Sequence, residues 1–271
     1  MENKDRKLVF FDIDGTLFVE KQGVPASTIE AIAKIRKNGH KAFICTGRSR
    51  AMIPQTPILD IGFDGIVGAC GAYGALDGRT VFDDCLSDRQ LAGMYRIFRK
   101  YDTMYILEGT EYIYYDEQTF LDNPDDWYVQ MVKNTLGDKF ISVQYAERFL
   151  GGVRANKTSL AEKNGVSNDA VYDLFRDEYE VMVHSFRVAE IVPKGCNKAS
   201  GMERMCRIAG VDPKDSIAFG DSINDVDMLK AAGIGICMGN GTEVAKQSAD
   251  YITGNIYDDG VYDALRHFGL F

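Results

Sequence analysis

The segment Lys7-Leu-Val-Phe-Phe-Asp-Ile-Asp-Gly-Thr16 constrains the fold more than any other stretch of the chain. Its apolar run, Leu8 to Phe11, has no polar face, as expected of a strand buried on both sides of a parallel sheet. The run stops at Asp12 and Asp14, two carboxylates one residue apart, followed by Gly15 and Thr16. Open α/β sheets form their ligand crevice at the carboxyl ends of the strands, so these acids stand where chemistry is done. Four fixed residue types in five positions arise by chance at about 10⁻⁵ per starting position on average usage. A strand ending in an ordinary turn accounts for Asp14-Gly15 but not for Asp12 inside the apolar edge.

The pattern then repeats. Ser27-Thr-Ile-Glu30 has the spacing of a capping box, and helical periodicity runs from Ile29 to Asn38-Gly39. Lys41 to Thr46 is a second apolar run, ending in Thr-Gly-Arg, and Phe63 to Ala69 a third. Strand, helix and strand within about forty residues is a βαβ unit. From Asp83 to Arg187 tyrosines accumulate, and Met104 to Glu108 with Glu111 to Tyr115 reads as a hairpin of half-exposed strands. Lys139 to Val143 and Glu180 to His184 are further strand candidates, and helices are expected over Asp88–Lys100, Pro124–Thr135 and Asn168–Arg176. The first texture then returns, with helices from Lys198 to Ala209 and Ser222 to Ala232 around the strand Ser216 to Gly220, and short strands at Gly235 to Met238 and Asp250 to Thr253. The expectation is an α/β fold, with a three-layer Rossmann-like parallel sheet core over 1–82 and 188–271 and an inserted α+β domain over 83–187.

Charge and composition narrow the function. Against 40 acidic residues stand 31 basic ones, a net charge of −9, which disfavours general nucleic-acid binding. No apolar run approaches the ~20 residues of a membrane span. The amino-terminal stretch lacks the pattern of a secretory signal, and the six scattered cysteines form no C-x-x-C pair, so a cytoplasmic protein with reduced thiols is expected. His40, His184 and His267 lie far apart, and no His-based site is proposed.

Three further segments carry candidate chemistry. Thr46-Gly47-Arg48 ends a strand and offers a hydroxyl and backbone N–H groups at a helix start, suited to phosphate, although a capping Thr followed by Gly explains it equally well. Lys198 opens a helix and offers a point charge; alone it reads as a surface lysine. Gly220-Asp-Ser-Ile-Asn-Asp225 puts four polar residues between an apolar run and a helix, where a cap needs only one.

Taken together, Asp12-x-Asp14-Gly-Thr16, Thr46-Gly-Arg48, Lys198 and Gly220-Asp-Ser-x-Asn-Asp225 resemble the four motifs of the haloacid dehalogenase-like phosphohydrolases, most closely their Cof-type branch. Glu190-Ile-x-Pro193-x-Gly195, Met238-Gly-Asn240 and Asp259-Gly-Val261 look like that branch's late segments, and the insert stands where its cap domain does. Cys70, Ala199 and Gly241 depart from the usual Asn, Gly and Ala. The resemblance implies a Mg²⁺-dependent phosphatase acting on small phosphate monoesters, such as sugar phosphates or phosphorylated cofactors. Asp12 would attack to form an aspartyl-phosphate, and Asp14 would protonate the leaving group and then activate water. Mg²⁺ would be held by Asp12, Asp14 through its carbonyl, and Asp221. Ile13, Thr46, the Gly47 amide, Lys198 and Asn224 would surround the phosphate, with Lys198 catalytic as well. Asp225 would stand behind them, orienting Lys198 or a metal-bound water, and Arg48 would be a structural ion-pair partner. The expected partner is a small-molecule phosphate ester, with neither nucleic acid nor membrane, on a monomer or homodimer. Two other functions fit the same residues: a hexose phosphomutase and a non-catalytic phosphometabolite-binding module.

Overall fold

The structure is a computed structural model that describes residues 6–53, 58–123, 126, 129–130, 134, 136–163, 168–183 and 188–271. Its strands, in chain order, begin with β1 (Leu8–Phe11), β2 (Lys41–Cys45), β3 (Gly65–Gly68), β4 (Tyr73–Leu76) and β5 (Arg79–Asp83). Then come β6 (Met104–Glu108), β7 (Ile113–Tyr115), β8 (Phe140–Ser142), β9 (Lys157–Ala161), β10 (Tyr179–Val183) and β11 (Val188–Pro193). The last are β12 (Ser216–Gly220), β13 (Ile234–Cys237) and β14 (Tyr251–Ile252). The chain divides into two compact units, Met1–Gly47 with Ile53–Phe82 and Asn197–Phe271, and Arg48–Met52 with Asp83–Cys196.

The first unit is built on an eight-stranded sheet in the order β14-β13-β12-β1-β2-β3-β4-β5. The pairs from β14 through to β3 are parallel, and β4 joins β3 antiparallel. From β1 the chain winds outward through β2 and β3, and later resumes on the other side at β12. That reversal makes the β1/β12 boundary the switch point of an open sheet, where ligands bind beyond the strand ends. Asp12 and Asp221 follow directly on these two strands.

Both faces of this sheet are covered, as the unbroken apolar strands require. Val9 and Phe11 face a layer containing Ile32 and Ile35 of the helix Ala26–Lys37 and Val261 and Leu265 of the helix Gly260–His267. Leu8 and Phe10 face the other layer, with Met202 and Met205 of the helix Lys198–Ala209 and Leu229 of the helix Val226–Ala231. Phe10 stacks on Phe43 and Phe11 on Phe219, with ring centroids 4.9 and 5.0 Å apart. Burying a side chain of this size contributes roughly 1.5–3 kcal/mol.

The second unit has a six-stranded sheet in the order β10-β11-β9-β6-β7-β8, antiparallel except for β7 with β8. One face packs on the helix Asp88–Lys100 through Leu91, Met94 and Phe98, and the other on a cluster with Ala51, Phe120 and Leu136.

Several expectations are corrected here. The second boundary lies later than 187/188, because Val188–Pro193 pairs with β10 and β9 and is a strand of the second sheet. Arg48–Met52 also belongs to that unit. The Met104 to Tyr115 hairpin is not half-exposed: β6 lies between β9 and β7 with all five residues buried, and Ile113 and Tyr114 of β7 are buried as well. The first helix starts at Ala26 after Pro25 with no side-chain cap, so Ser27 and Glu30 form no capping box. Thr46-Gly47 does not open an α-helix; a short 3₁₀ turn, Arg50–Met52, follows instead. Ser222 to Ala232 divides into a 3₁₀ turn, Ile223–Asp225, and the helix Val226–Ala231. His184 and most of the 124–135 helix lie outside the described residues.

Candidate active site

The loop after β1 turns back at once. Asp12 still continues the sheet, its N–H donating to the Phe219 carbonyl at 3.0 Å. The Ile13 carbonyl then accepts from the N–H groups of Thr16, Leu17 and Phe18, and the Gly15 N–H donates to the Phe18 carbonyl at 2.9 Å. Gly15 has φ +85°, and an added Cβ there would lie 2.4 Å from Asp221 Oδ2. Only glycine closes this turn so near the second acid. The turn leaves Asp14 exposed, buries Asp12 and Thr16, and aims the Thr16 hydroxyl at Asp221 Oδ1, to which it donates at 3.1 Å.

The loop after β12 is arranged around Asp225, which is fully buried. Its Oδ2 accepts from the N–H groups of Asp221 and Ser222, each at 3.0 Å, and its Oδ1 from Lys198 Nζ at 2.6 Å. Gly220 permits this closeness, since a Cβ there would meet the Asp225 side chain at 2.5 Å. Lys198 is the first residue of its helix, which Asn197 and Ser200 close with a capping box. Its ammonium is no surface charge: at 2 % exposure it lies 2.8 Å from Asp12 Oδ1 and 3.3 Å from Asn224 Oδ1.

Asp12, Asp221 and Asp225 each offer a carboxylate oxygen, all within 4.8 Å of one another. Three carboxylates, of which Asp221 is half-buried, against one ammonium leave this group short of positive charge. Burial pushes the Asp12 carboxyl well above its ordinary range, and Asp225 adds to this against the pull of Lys198. Asp221 is pushed up to about 6, by burial and then Asp225, opposed by the Thr16 hydrogen bond and Lys198. Burial alone would pull the Lys198 ammonium down, but Asp12 and Asp225 outweigh it and hold the lysine well above its usual value. An all-oxygen donor set with surplus negative charge, without His or Cys, fits a hard divalent cation of the Mg²⁺ type.

The remaining expected residues fall as follows. Thr46 is buried at the end of β2, its N–H donating to the Val67 carbonyl at 2.9 Å. Its carbonyl accepts from the Cys70 N–H at 3.3 Å, and the Gly47 carbonyl accepts from the Cys70 thiol at 3.8 Å. Ala69, Cys70 and Gly71 all have positive φ, a left-handed turn in which Asn is better tolerated than Cys. A Cβ on Gly71 would meet the Asn197 carbonyl oxygen at 2.1 Å, so this turn packs on the start of the Lys198 helix. The Ile13 side chain is fully buried, leaving only its backbone to serve a ligand. Arg48 donates to the Met52 carbonyl at 3.4 Å. Asp14 interacts electrostatically with Asp221 and raises its pKa. The Thr16 hydroxyl, to which the sequence assigns no role, holds Asp221, and Ser222, a candidate cap in the sequence, closes a capping box with Asp225 while its hydroxyl also holds Asn224. Hydroxyls flanking acids at strand ends were the available signal.

A family model described as haloacid dehalogenase-like hydrolase matches residues 9–265. The YkrA protein of Bacillus subtilis, provisionally named a phosphatase, is 26% identical over 272 residues, covering 98% of this chain and 99% of that protein. YitU of the same organism, a 5-amino-6-(5-phospho-D-ribitylamino)uracil phosphatase, is 26% identical over 96% of this chain and 97% of its own. The solved structure of the HAD subclass IIB sugar phosphatase BT4131 superimposes with a TM-score of 0.79 at 27% identity, covering 98% of this chain and 100% of that one.

Proposed function

The chain belongs to the haloacid dehalogenase-like hydrolase family, in its Cof-type branch, and is a phosphatase; on that premise we propose that it is Mg²⁺-dependent and hydrolyses small phosphate monoesters through an aspartyl-phosphate on Asp12. The observation that carries this reading is the convergence of buried Asp12, Lys198 and Asp225 with half-buried Asp221 at the switch point of the sheet.

In the proposed reaction a carboxylate oxygen of Asp12 attacks phosphorus as the bond to the ester oxygen breaks, and Asp14 donates its proton to that oxygen. Asp14 then takes a proton from water, whose oxygen attacks the phosphorus of the aspartyl-phosphate; inorganic phosphate leaves and the Asp12 carboxylate is restored. Lys198 holds Asp12 by an ion pair and offers charge to the phosphate. Asn224 accepts from Lys198 and Ser222 through Oδ1, which makes its Nδ2 the donor toward a phosphate oxygen. Thr46 and the amides of Gly47 and Ile13 complete the phosphate contacts. Asp12, Asp221 and the Asp14 carbonyl would hold Mg²⁺, whose charge, when bound, lets a carboxylate approach a phosphate dianion. Asp225 stands behind them, because its oxygens are committed to Lys198 and to the N–H groups of Asp221 and Ser222.

The second unit, Asp83–Cys196 with Arg48–Met52, we read as the family's cap, which selects the leaving group. Sugar phosphates or phosphorylated cofactors are the substrate class in this reading, and the scattered cysteines go with a cytoplasmic location. The test is phosphate release from p-nitrophenyl phosphate with Mg²⁺: Asp12→Asn should lower kcat by ~10³-fold or more while circular dichroism stays unchanged. Full activity of that variant would reject Asp12 as the nucleophile.

A further inference from the structure

Met238-Gly-Asn240 stands out in the sequence but has no part in the reaction described above. The segment continues from β13 past the end of β12. The Met238 N–H donates to the Gly220 carbonyl at 3.0 Å, and the Thr242 N–H to the Asp221 carbonyl at 2.7 Å. Gly241 allows the close approach, since a Cβ there would stand 3.0 Å from the Asp221 carbonyl oxygen and 2.6 Å from Cys237 Sγ. One side of this loop is therefore fastened to the backbone of Asp221.

Its other attachment is made by a side chain. Asn240 Nδ2 donates to the Gly15 carbonyl at 2.8 Å, while Oδ1 accepts from the Ile256 N–H at 3.0 Å. Both ends of the amide are used, so its orientation is set. Asp in its place offers no donor, and a serine side chain is too short to span both partners. Gly15 is the left-handed residue directly after Asp14, and its own N–H already closes on Phe18. Asn240 thus pins the tip of the turn that carries Asp14 to the same loop that grips Asp221.

We propose that Asn240 is a positioning residue: by holding the Gly15 carbonyl it fixes the exposed Asp14 side chain for proton transfer to the leaving group. The inference rests on the role given to Asp14 in the proposed phosphatase reaction. It implies a defect that depends on the ester. p-Nitrophenolate departs without needing a proton, whereas an alkoxide does not.

The experiment compares kcat/KM on p-nitrophenyl phosphate and on glycerol phosphate for the full-length wild type, Asn240→Ala and Asn240→Asp. Asn240→Asp keeps the acceptor for Ile256 and sets a charged oxygen in place of the donor to Gly15, while Asn240→Ala removes the donor without adding charge, so the two must agree. For both variants the glycerol phosphate rate should fall by ~10-fold or more and the aryl rate by less than ~3-fold, since a proton donor assists the poor leaving group selectively. Independently of turnover, hydrogen exchange at the Gly15 amide should quicken by ~3- to 10-fold in Asn240→Asp, the worth of one hydrogen bond. Equal losses on the two esters, or exchange at Gly15 unchanged from wild type, overturns the proposal. Should the wild type release phosphate from neither ester, the reaction proposed for Asp12 and Asp14 fails and the role of Asn240 in proton transfer with it, whereas unchanged exchange at Gly15 beside normal turnover overturns Asn240 alone.

Discussion

Replacing Lys198 by Met keeps most of the side-chain volume and deletes the ammonium that pairs with Asp12 and Asp225. In the native protein Nζ lies 2.8 Å from Asp12 and 2.6 Å from Asp225, and none of the three side chains is more than 5% exposed. Breaking a buried charge pair from one side costs about 3–5 kcal/mol. At roughly 2–4 °C per kcal/mol for a chain of this size, Tm should fall by on the order of 10 °C. The deficit should depend on pH. The folded-state pKa of Asp12 already lies above its unfolded value. Such a carboxyl favours the fold when protonated; that contribution is complete below the unfolded pKa and is lost as pH rises through the folded one. Without Lys198 the upward shift grows, so the variant should be worst at pH 7.5 and recover toward wild type in acid. Scanning calorimetry of both proteins in EDTA at pH 4.5, 6 and 7.5 measures this directly. Equal Tm values at pH 7.5, or a gap that stays constant on acidification, would refute the argument that Lys198 is the counter-ion of a buried acid pair.

Two further outcomes are expected. Because Asp221 is pushed up to about 6, protons compete with a cation for it, and Mg²⁺ should raise Tm clearly at pH 7.5 but little at pH 5. A Mg²⁺-induced shift that is the same at both values would remove Asp221 from the cation site. Cys70 has φ 51°, a conformation that Asn adopts more readily, so Cys70→Asn should raise Tm by about 1–3 °C. A fall in Tm would show that the thiol contact to the Gly47 carbonyl outweighs the backbone preference.

How far the sequence could be read depended on how local the deciding interaction was. The helix Lys198–Ala209 is legible at both ends, by Asn197 before it and by the left-handed Gly210 after it, and the structure has those limits. The helix Asp88–Lys100 likewise begins at a capping box made by Ser87 and Gln90. Where the deciding partner lies far along the chain the reading fails. Val188–Pro193 has the same apolar texture as a strand of the first sheet, and only its pairing with β9 and β10 assigns it to the second. The burial of Lys198 is of the same kind: the carboxylates that draw it inward lie at Asp12 and Asp225, and nothing beside the lysine signals them. Asn240 is the extreme case, with its partner at Gly15, 225 positions away.

The membership of Arg48–Met52 in the second unit bears on how this chain could be re-engineered. Ala51 is 3% exposed within a core cluster of that unit, and its N–H donates to the Gly109 carbonyl at 3.3 Å. A foreign module spliced in between 83 and 196 would therefore arrive without the short peptide its core was shaped around. Chimeras that exchange both pieces together should fold better than those that exchange the long piece alone.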